Sequence, residues 1–395
     1  MGGGGLTAIS TFVASDLVPL RKRGVWQGLG NIFYGVGAGL GGIFGGWIND
    51  TWGWRMAFLI QVPLVIASGI LVAFVVKVPV KVTAQSPWKR IDFLGASTLV
   101  IALVLLLLGL NSGGNQVPWT SPLVLTTLPL SAVFFALFIY IEDRIASEPV
   151  IPVRLLLDRT VLSACLTNWF TTMTLYALLF YGPIYFQIKG MTTTQAGLRL
   201  IPQAIGSSAG SLSVGLAMRR TGRYYLLNVG IEGIFALACA LVATFTLSTP
   251  AWQPFLYLLF VGFGYGGMLT ITLLALISAV AHKDQAVITS ASYAFRSTGS
   301  TIGITIASAV FQNILKMRLW ARFGDREDAA EVIKRIRDSF DEIGNLPAGW
   351  RQGVMESYMD ALSGVFGTAC GIALIGALVS LGMREHKLFD NLARK

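Results

Sequence analysis

The sequence is short of charge. Aspartate, glutamate, lysine and arginine make up 13% of its 395 residues, where a soluble domain of this length carries about a quarter. Hydrophobic residues fill 54% of the chain, so the missing charge points to a membrane protein. Histidine is scarce: His282 and His386 stand too far apart for a local metal motif. Cys165, Cys239 and Cys370 all fall inside apolar runs and read as buried free thiols, without a disulfide framework or metal-ligand spacing. The chain also lacks a Ser-His-Asp arrangement, a phosphate loop and a dinucleotide fingerprint, which argues against an enzyme and implies no cofactor. Ten-residue strands of alternating polarity are missing too, which argues against a membrane barrel. The net charge of +10 raises the question of nucleic acid, but no basic patch interleaved with aromatics exists outside short loops. Those cations are read instead as loop charges that set topology.

What is present is a series of long apolar runs. "IDFLGASTLVIALVLLLLGL" and "SPLVLTTLPLSAVFFALFIYI" are nearly free of charge, and about 20 such residues cross a bilayer core of about 30 Å. Runs bounded by charge or by Gly and Pro place eleven spans, at about 2–17, 26–48, 55–77, 92–111, 121–141, 161–187, 196–217, 224–247, 253–281, 287–315 and 359–383. Backbone polar groups must be satisfied inside lipid, so the spans are helices and the fold is an all-α membrane bundle. Loop cations then orient it. Arg21–Arg23, Lys77, Lys81, Lys89, Arg90, Arg144, Arg154, Arg159, Arg219, Arg220, Arg223, Lys283, Arg296 and the tail residues Arg384, Lys387, Arg394 and Lys395 gather on one side, which is read as cytosolic. The opposite short loops hold Arg55, Lys189 and Arg199. In the long segment 316–358, "REDAAEVIKRIRDSFDEI" spaces Val332, Ile333, Ile336, Phe340 and Ile343 as one helix face. It is expected to lie as an amphipathic lid on the non-cytosolic side.

An ungapped shift lays the opening of the chain onto a later stretch. Gly2, Gly4 and Gly5 fall on Gly264, Gly266 and Gly267; Arg21 falls on Lys283, Phe33 on Phe295, Gly37 on Gly299 and Gly41 on Gly303. Parallel repeats of this kind build the two halves of many transporters. Spans one to three then match spans nine to eleven, and spans six to eight are left without counterparts. The expectation is that three helices precede Met1, that the sequence is N-terminally truncated, and that as written it does not transport. Three units follow: 1–77, the last three helices of an N-terminal bundle; 78–150, two central linker helices; and 151–395, a C-terminal six-helix bundle carrying the loop 316–358.

Several motifs resemble the fourteen-span drug:proton antiporter branch of the major facilitator superfamily. "GVGAGLGGIFGGWI", Gly35 to Ile48, is similar to the antiporter signature of the fifth helix, though it lacks the usual proline. "WGWRMAFLIQVP" resembles the entry to the sixth helix. "GLAMRRTGRYY", Gly215 to Tyr225, resembles the family's cytosolic Gly-x-x-x-Asp-Arg-x-Gly-Arg turn, with Arg219 where the acid is expected. The opening stretch looks most like fungal vacuolar basic amino acid permeases. The resemblance implies a major facilitator superfamily bundle, here about 11 transmembrane helices of an expected 14.

Particular residues carry expected roles, read from their place in the spans or from the motifs above. Glu232 lies about 13 Å along its helix from the basic turn, and an acid at that depth is a proton-coupling candidate. Its other readings are a structural pairing, with Arg296 as partner, or a place facing a wet cavity. Asn31, Tyr34, Asn168, Tyr176, Tyr265 and Arg296 are the substrate-cavity candidates, with aromatic faces suited to a cation. Asp16, Arg21, Arg23, Gly37, Gly41, Gly45, Gly46, Gly215, Arg219, Arg220, Gly222 and Arg223 are the conformational motifs. Bulky side chains at Gly37, Gly41 or Gly46 are expected to separate packed helices. The expected function is proton-coupled antiport of basic amino acids into the vacuole by a monomer, with protons and a cationic small molecule as its partners. The alternatives are multidrug or toxin efflux at the plasma membrane, or a non-transporting fragment.

Overall fold

Helix ends follow local chemistry. The computed structural model describes residues 20–75, 92–113, 117–146, 151, 153–281, 284–326, 329–338 and 349–386; the expected first span, 2–17, lies outside them. The described helices are α1 (Leu20–Trp52), α2 (Trp54–Val75), α3 (Phe93–Ser112), α4 (Pro122–Arg144), α5 (Val153–Leu156), α6 (Arg159–Ile188), α7 (Thr193–Leu198), α8 (Ile201–Thr221), α9 (Tyr225–Ala243), α10 (Trp252–Ala279), α11 (Gln285–Phe323), α12 (Ala329–Asp338) and α13 (Arg351–Ser380). Asp92 caps α3 by accepting from the Gly95 amide at 2.8 Å. Asp158 caps α6 by accepting from the amides of Thr160 and Val161 at 2.8 and 3.1 Å. Such oxygens satisfy amides that have no partner within the helix. At the other end of a helix, Gly222 closes α8 with φ +64, a left-handed backbone that favours glycine.

Where boundaries depart from expectation, the cause is local. The single span at 196–217 is two helices, α7 and α8. Pro202 has no amide to bond back to Leu198 and its ring clashes with that carbonyl, so the chain turns at Arg199–Leu200 before α8 begins. The span at 287–315 is part of a longer helix, and that at 359–383 belongs to one that begins eight residues earlier and ends at Ser380. With 39 residues, α11 is about 58 Å long, well beyond a bilayer core of about 30 Å. Its last turns and the first of α13 carry α12, whose Val332, Ile333 and Ile336 are buried and whose Ile336 carbonyl accepts from the Tyr358 hydroxyl at 2.7 Å. The lid is therefore packed over the helix ends; Phe340 and Ile343 lie outside the described residues.

Six described helices are long and apolar enough to cross a membrane: α2, α3, α4, α9, α10 and α13. The other long helices, α1, α6, α8 and α11, also carry Gly, Ser or Thr along their length. In α6, α8 and α11 those small residues are spent on helix–helix packing. The core joins α6, α8, α9, α10, α11 and α13, with Tyr185 stacked on Phe245 at 4.9 Å and edge-on to Phe366 at 6.3 Å. Helices α3 and α4 form a hairpin in which the Ser131 hydroxyl donates to the Ala102 carbonyl at 2.9 Å. The hairpin leans on α11.

The tightest seam lies between α8 and α10. Each presents Gly-x-x-x-Gly to the other, and a Cβ added to Gly206, Gly210, Gly262 or Gly266 would stand 2.0, 2.1, 1.9 and 1.9 Å from a backbone carbonyl oxygen of its partner helix. Only glycine admits backbones this close.

Among the described residues, glycine packing in α1 is uneven. A Cβ at Gly37, Gly41 or Gly45 meets nothing within 4 Å among the described residues. The contact falls instead on Gly42, 3.4 Å from the Gly197 carbonyl oxygen, and on Gly46, 2.6 Å from the Thr194 Cα. Gly46→Val is therefore expected to cost about 1–3 kcal/mol by forcing α1 off α7, while Gly37→Val and Gly41→Val leave stability within about 0.5 kcal/mol. Thermal unfolding of the three variants in detergent checks this. Equal losses at all three would remove the distinction.

Candidate functional site

Helix α6 is apolar overall, yet it carries a hydroxyl or amide on nearly every turn. Thr160, Ser163, Thr167, Thr171 and Thr174 recur at intervals of three or four and share one face. All five are buried, as are Asn168 and Thr172 beside them. That face meets Glu232 of α9, which is 1% exposed. The Thr171 hydroxyl lies 3.5 and 3.4 Å from the two carboxyl oxygens. A hydroxyl can donate to a carboxylate or accept from a carboxylic acid, so the pair can serve Glu232 in either protonation state. Next to it, Asn168 Nδ2 donates to the Ser292 hydroxyl of α11 at 2.9 Å and its Oδ1 accepts from Thr172 at 3.4 Å. Glu232 at Thr171 and Ser292 at Asn168 thus attach to adjacent turns of α6 and tie it to α9 and α11.

The other expected site residues lie on several helices. Tyr265 is buried in the α10 core and Tyr176 is half-buried on α6. Arg296 lies on α11 with its guanidinium 5.3 Å from the Tyr293 ring centroid. Asp16 lies outside the described residues, as do the side chains of Asn31, Tyr34, Arg21 and Arg23. Gly215 is not a close-packing position: a Cβ there would meet only the Thr270 methyl, at 3.9 Å. Arg219 and Arg220 are exposed in the last turn of α8, followed by the Gly222 cap and exposed Arg223. Among the described residues no group of three His, Cys, Asp or Glu could hold a metal ion.

Sequence reasoning missed a second polar contact, at the far end of α1. The Asp50 carboxylate accepts from the Thr193 hydroxyl, from the Thr194 hydroxyl at 2.5 Å and from the Thr194 amide at 3.1 Å. Partial burial opposes ionisation, but these donors outweigh it and hold the carboxyl below its ordinary range. Thr171, Thr172 and Ser292 were missed as well. The signal available for the threonines was their three-and-four spacing in an apolar run; Ser292 carried none.

The comparisons agree with this architecture. The Major Facilitator Superfamily profile matches residues 1–304, and the chain belongs to that family. Multidrug resistance protein fnx1 of Schizosaccharomyces pombe is 39% identical over 100% of this chain and 75% of its own length. Vacuolar membrane amino acid uptake transporter fnx2 of the same yeast is 33% identical over 92% of this chain, which spans 63% of that relative. Vacuolar basic amino acid transporter 2 of Saccharomyces cerevisiae is 34% identical over 100% of this chain and 85% of its own length. In fold, the chain resembles an inward-facing, occupied bacterial homolog of the human lysosomal transporter Spinster. The TM-score is 0.56 at 14% identity, covering 95% of this chain and 72% of that one. The chain is an integral, multi-pass membrane protein of a transporter family.

Proposed function

We propose that the chain exchanges protons for basic amino acids, moving lysine or arginine from the cytosol into the vacuole by alternating access. The observation that carries this reading is Glu232, a carboxyl buried in the middle of α9 against the Thr171 hydroxyl. An ionisable group at that depth is costly and marks an ion or substrate path by default. The named activities of two relatives, vacuolar amino acid uptake and vacuolar basic amino acid transport, favour the substrate class and the membrane. Residues 151–395 act as the C-terminal six-helix bundle, 78–150 as the central pair of helices and 1–77 as part of the N-terminal bundle. The loop cations place the Arg219–Arg223 end in the cytosol. Asn31, Tyr34, Asn168, Tyr176, Tyr265 and Arg296 remain the cavity residues of this reading.

The second reading is efflux of drugs or toxins at the plasma membrane, favoured by the multidrug-resistance name of the relative that is 39% identical. The test is uptake by acid-loaded vesicles containing the chain, with labelled arginine or a lipophilic cationic dye outside. The proposal expects arginine to accumulate and lysine to compete, whereas uptake of neither would bear out the expectation that the sequence as written does not transport. Dye accumulation that arginine does not inhibit would favour drug efflux instead.

A further inference from the structure

The polar face of α6 continues past Glu232 in one direction only. Thr171 against Glu232 and Tyr185 against the Thr246 carbonyl are both pairs 61 residues apart. The two contacts share one offset, so α6 runs parallel to α9 and the turn that follows it. One turn back from Glu232 the same offset pairs Thr167 with Asn228, and another turn back it pairs Ser163 with Tyr224. Tyr224, the N-cap residue of α9, and Asn228 and Glu232 within the helix recur every four residues. All three are 1% exposed or less, as are Thr167 and Thr171.

At the middle level two oxygens face no protein partner. Thr167 Oγ1 and Asn228 Oδ1 are both buried and without a hydrogen bond among the described residues. Asn228 Nδ2 points to the Ser380 carbonyl of α13 at 3.4 Å, which leaves Oδ1 for something else. Buried polar atoms left unpaired are costly, and a buried water meets such atoms with two to four hydrogen bonds.

The row reaches the surface at its outer end. The Tyr224 hydroxyl donates to the Arg384 carbonyl at 2.5 Å and lies 3.0 Å from His386 Nδ1. The exposed Glu385 carboxylate accepts from the amides of Tyr224 and Tyr225 at 2.8 and 2.9 Å. In the other direction the row stops. Beyond Glu232 the same faces carry Leu175, Leu178, Phe235 and Cys239, all buried, and the Thr174 hydroxyl is spent on the Phe170 and Ala369 carbonyls at 3.1 and 3.2 Å.

We propose that Thr167 and Asn228 hold a buried water that passes protons between Glu232 and the Tyr224–Glu385 end of the bundle. The inference rests on Glu232 being the coupling carboxyl. Each step makes one O–H bond and breaks one. The Glu232 carboxylic acid gives its proton to the Thr171 hydroxyl oxygen, and Thr171 gives its own to the water. The water releases one past Ser163 to solvent, so one proton leaves and a carboxylate remains. Asn228 is a positioning residue that orients the water and is not itself protonated.

The test is infrared spectroscopy of the full chain in lipid nanodiscs, with the Glu232 carboxyl band identified by its loss in Glu232→Gln. After transfer to D2O, the rate at which that band shifts reports proton access. Thr167→Val and the pair Thr167→Val/Asn228→Leu are expected to slow the shift by about tenfold or more. Thr167→Ser, which keeps the hydroxyl, and Thr174→Val, beyond Glu232, are expected to match the parent. An unchanged rate in both slowed variants, or equal slowing in Thr174→Val, would overturn the path. If the path variants slow exchange but Glu232→Gln still supports proton-driven uptake, the path stands and the coupling role fails. Absence of any Glu232 carboxyl band at acid pH would overturn both.

Discussion

Replacing Glu232 with Gln is expected to abolish gradient-driven accumulation while leaving the chain folded. Gln matches the protonated acid in size and can still meet the Thr171 hydroxyl, which lies 3.4 Å from one carboxyl oxygen. What it removes is the exchangeable proton. For one-for-one exchange, a pH difference of one unit supplies about 1.4 kcal/mol, which sustains about a tenfold concentration ratio. In vesicles with such a gradient the parent is expected to reach that ratio for arginine, and Glu232→Gln to level off at about unity. Arginine–arginine exchange without a gradient is expected to continue, because translocating the loaded carrier needs no titration in the variant. Accumulation by Glu232→Gln equal to the parent would make Glu232 a structural residue. Loss of exchange together with accumulation would place it in folding or substrate binding instead.

The second large effect is expected at the α8–α10 seam. Gly206 and Gly266 lie on opposite helices, and the Cβ of each would come within 2.0 Å of a carbonyl oxygen of the other helix, Leu259 O and Ser207 O. These contacts are with backbone, so no rotamer change relieves them; the helices must separate. Separation exposes the four-glycine approach and loosens the contacts of Val214, Leu258 and Met268 in the shared core. Overpacking costs about 1–3 kcal/mol per site, and two sites on one seam compound it. Gly206→Leu/Gly266→Leu is expected to lose the monodisperse peak in detergent chromatography. Gly371→Leu, where a Cβ meets nothing within 4 Å, is expected to keep it. A monodisperse, thermally unchanged double variant would show that α8 and α10 are not packed this closely.

Much of the fold is legible in the sequence because lipid forces it. Runs of apolar residues must be helices, and the positions of α2, α3, α4, α6, α9 and α10 agree with the runs within a few residues. Helices that outlast the apolar run are harder to read. The ends of α11 and α13 are polar, and they are helical because α12 packs on them. The break between α7 and α8 was signalled by Pro202 but hidden inside a continuous apolar stretch. Glycine shows the limit most clearly. In α1 the pattern offers Gly37, Gly41, Gly42, Gly45 and Gly46 on equal terms, and only the neighbouring helix selects Gly42 and Gly46. At the candidate site, Glu232 stands out because a carboxyl in an apolar helix is rare. Its threonine partner does not, since threonine in such a helix commonly bonds its own backbone, as Thr174 does to Phe170. Asp50 sits near a helix end, where charge is ordinary, and its partners are more than 140 residues away in sequence.

Proton movement on addition of substrate tests the central claim most directly. Vesicles containing the chain, with an acidic lumen and a pH-sensitive dye inside, are given arginine from outside. Proton-coupled antiport predicts that the lumen becomes more alkaline as arginine enters, at a fixed ratio of protons to arginine, and that Glu232→Gln gives arginine exchange without the pH change. Arginine entry with no alkalinisation in the parent, or an undiminished alkalinisation in Glu232→Gln, would contradict it.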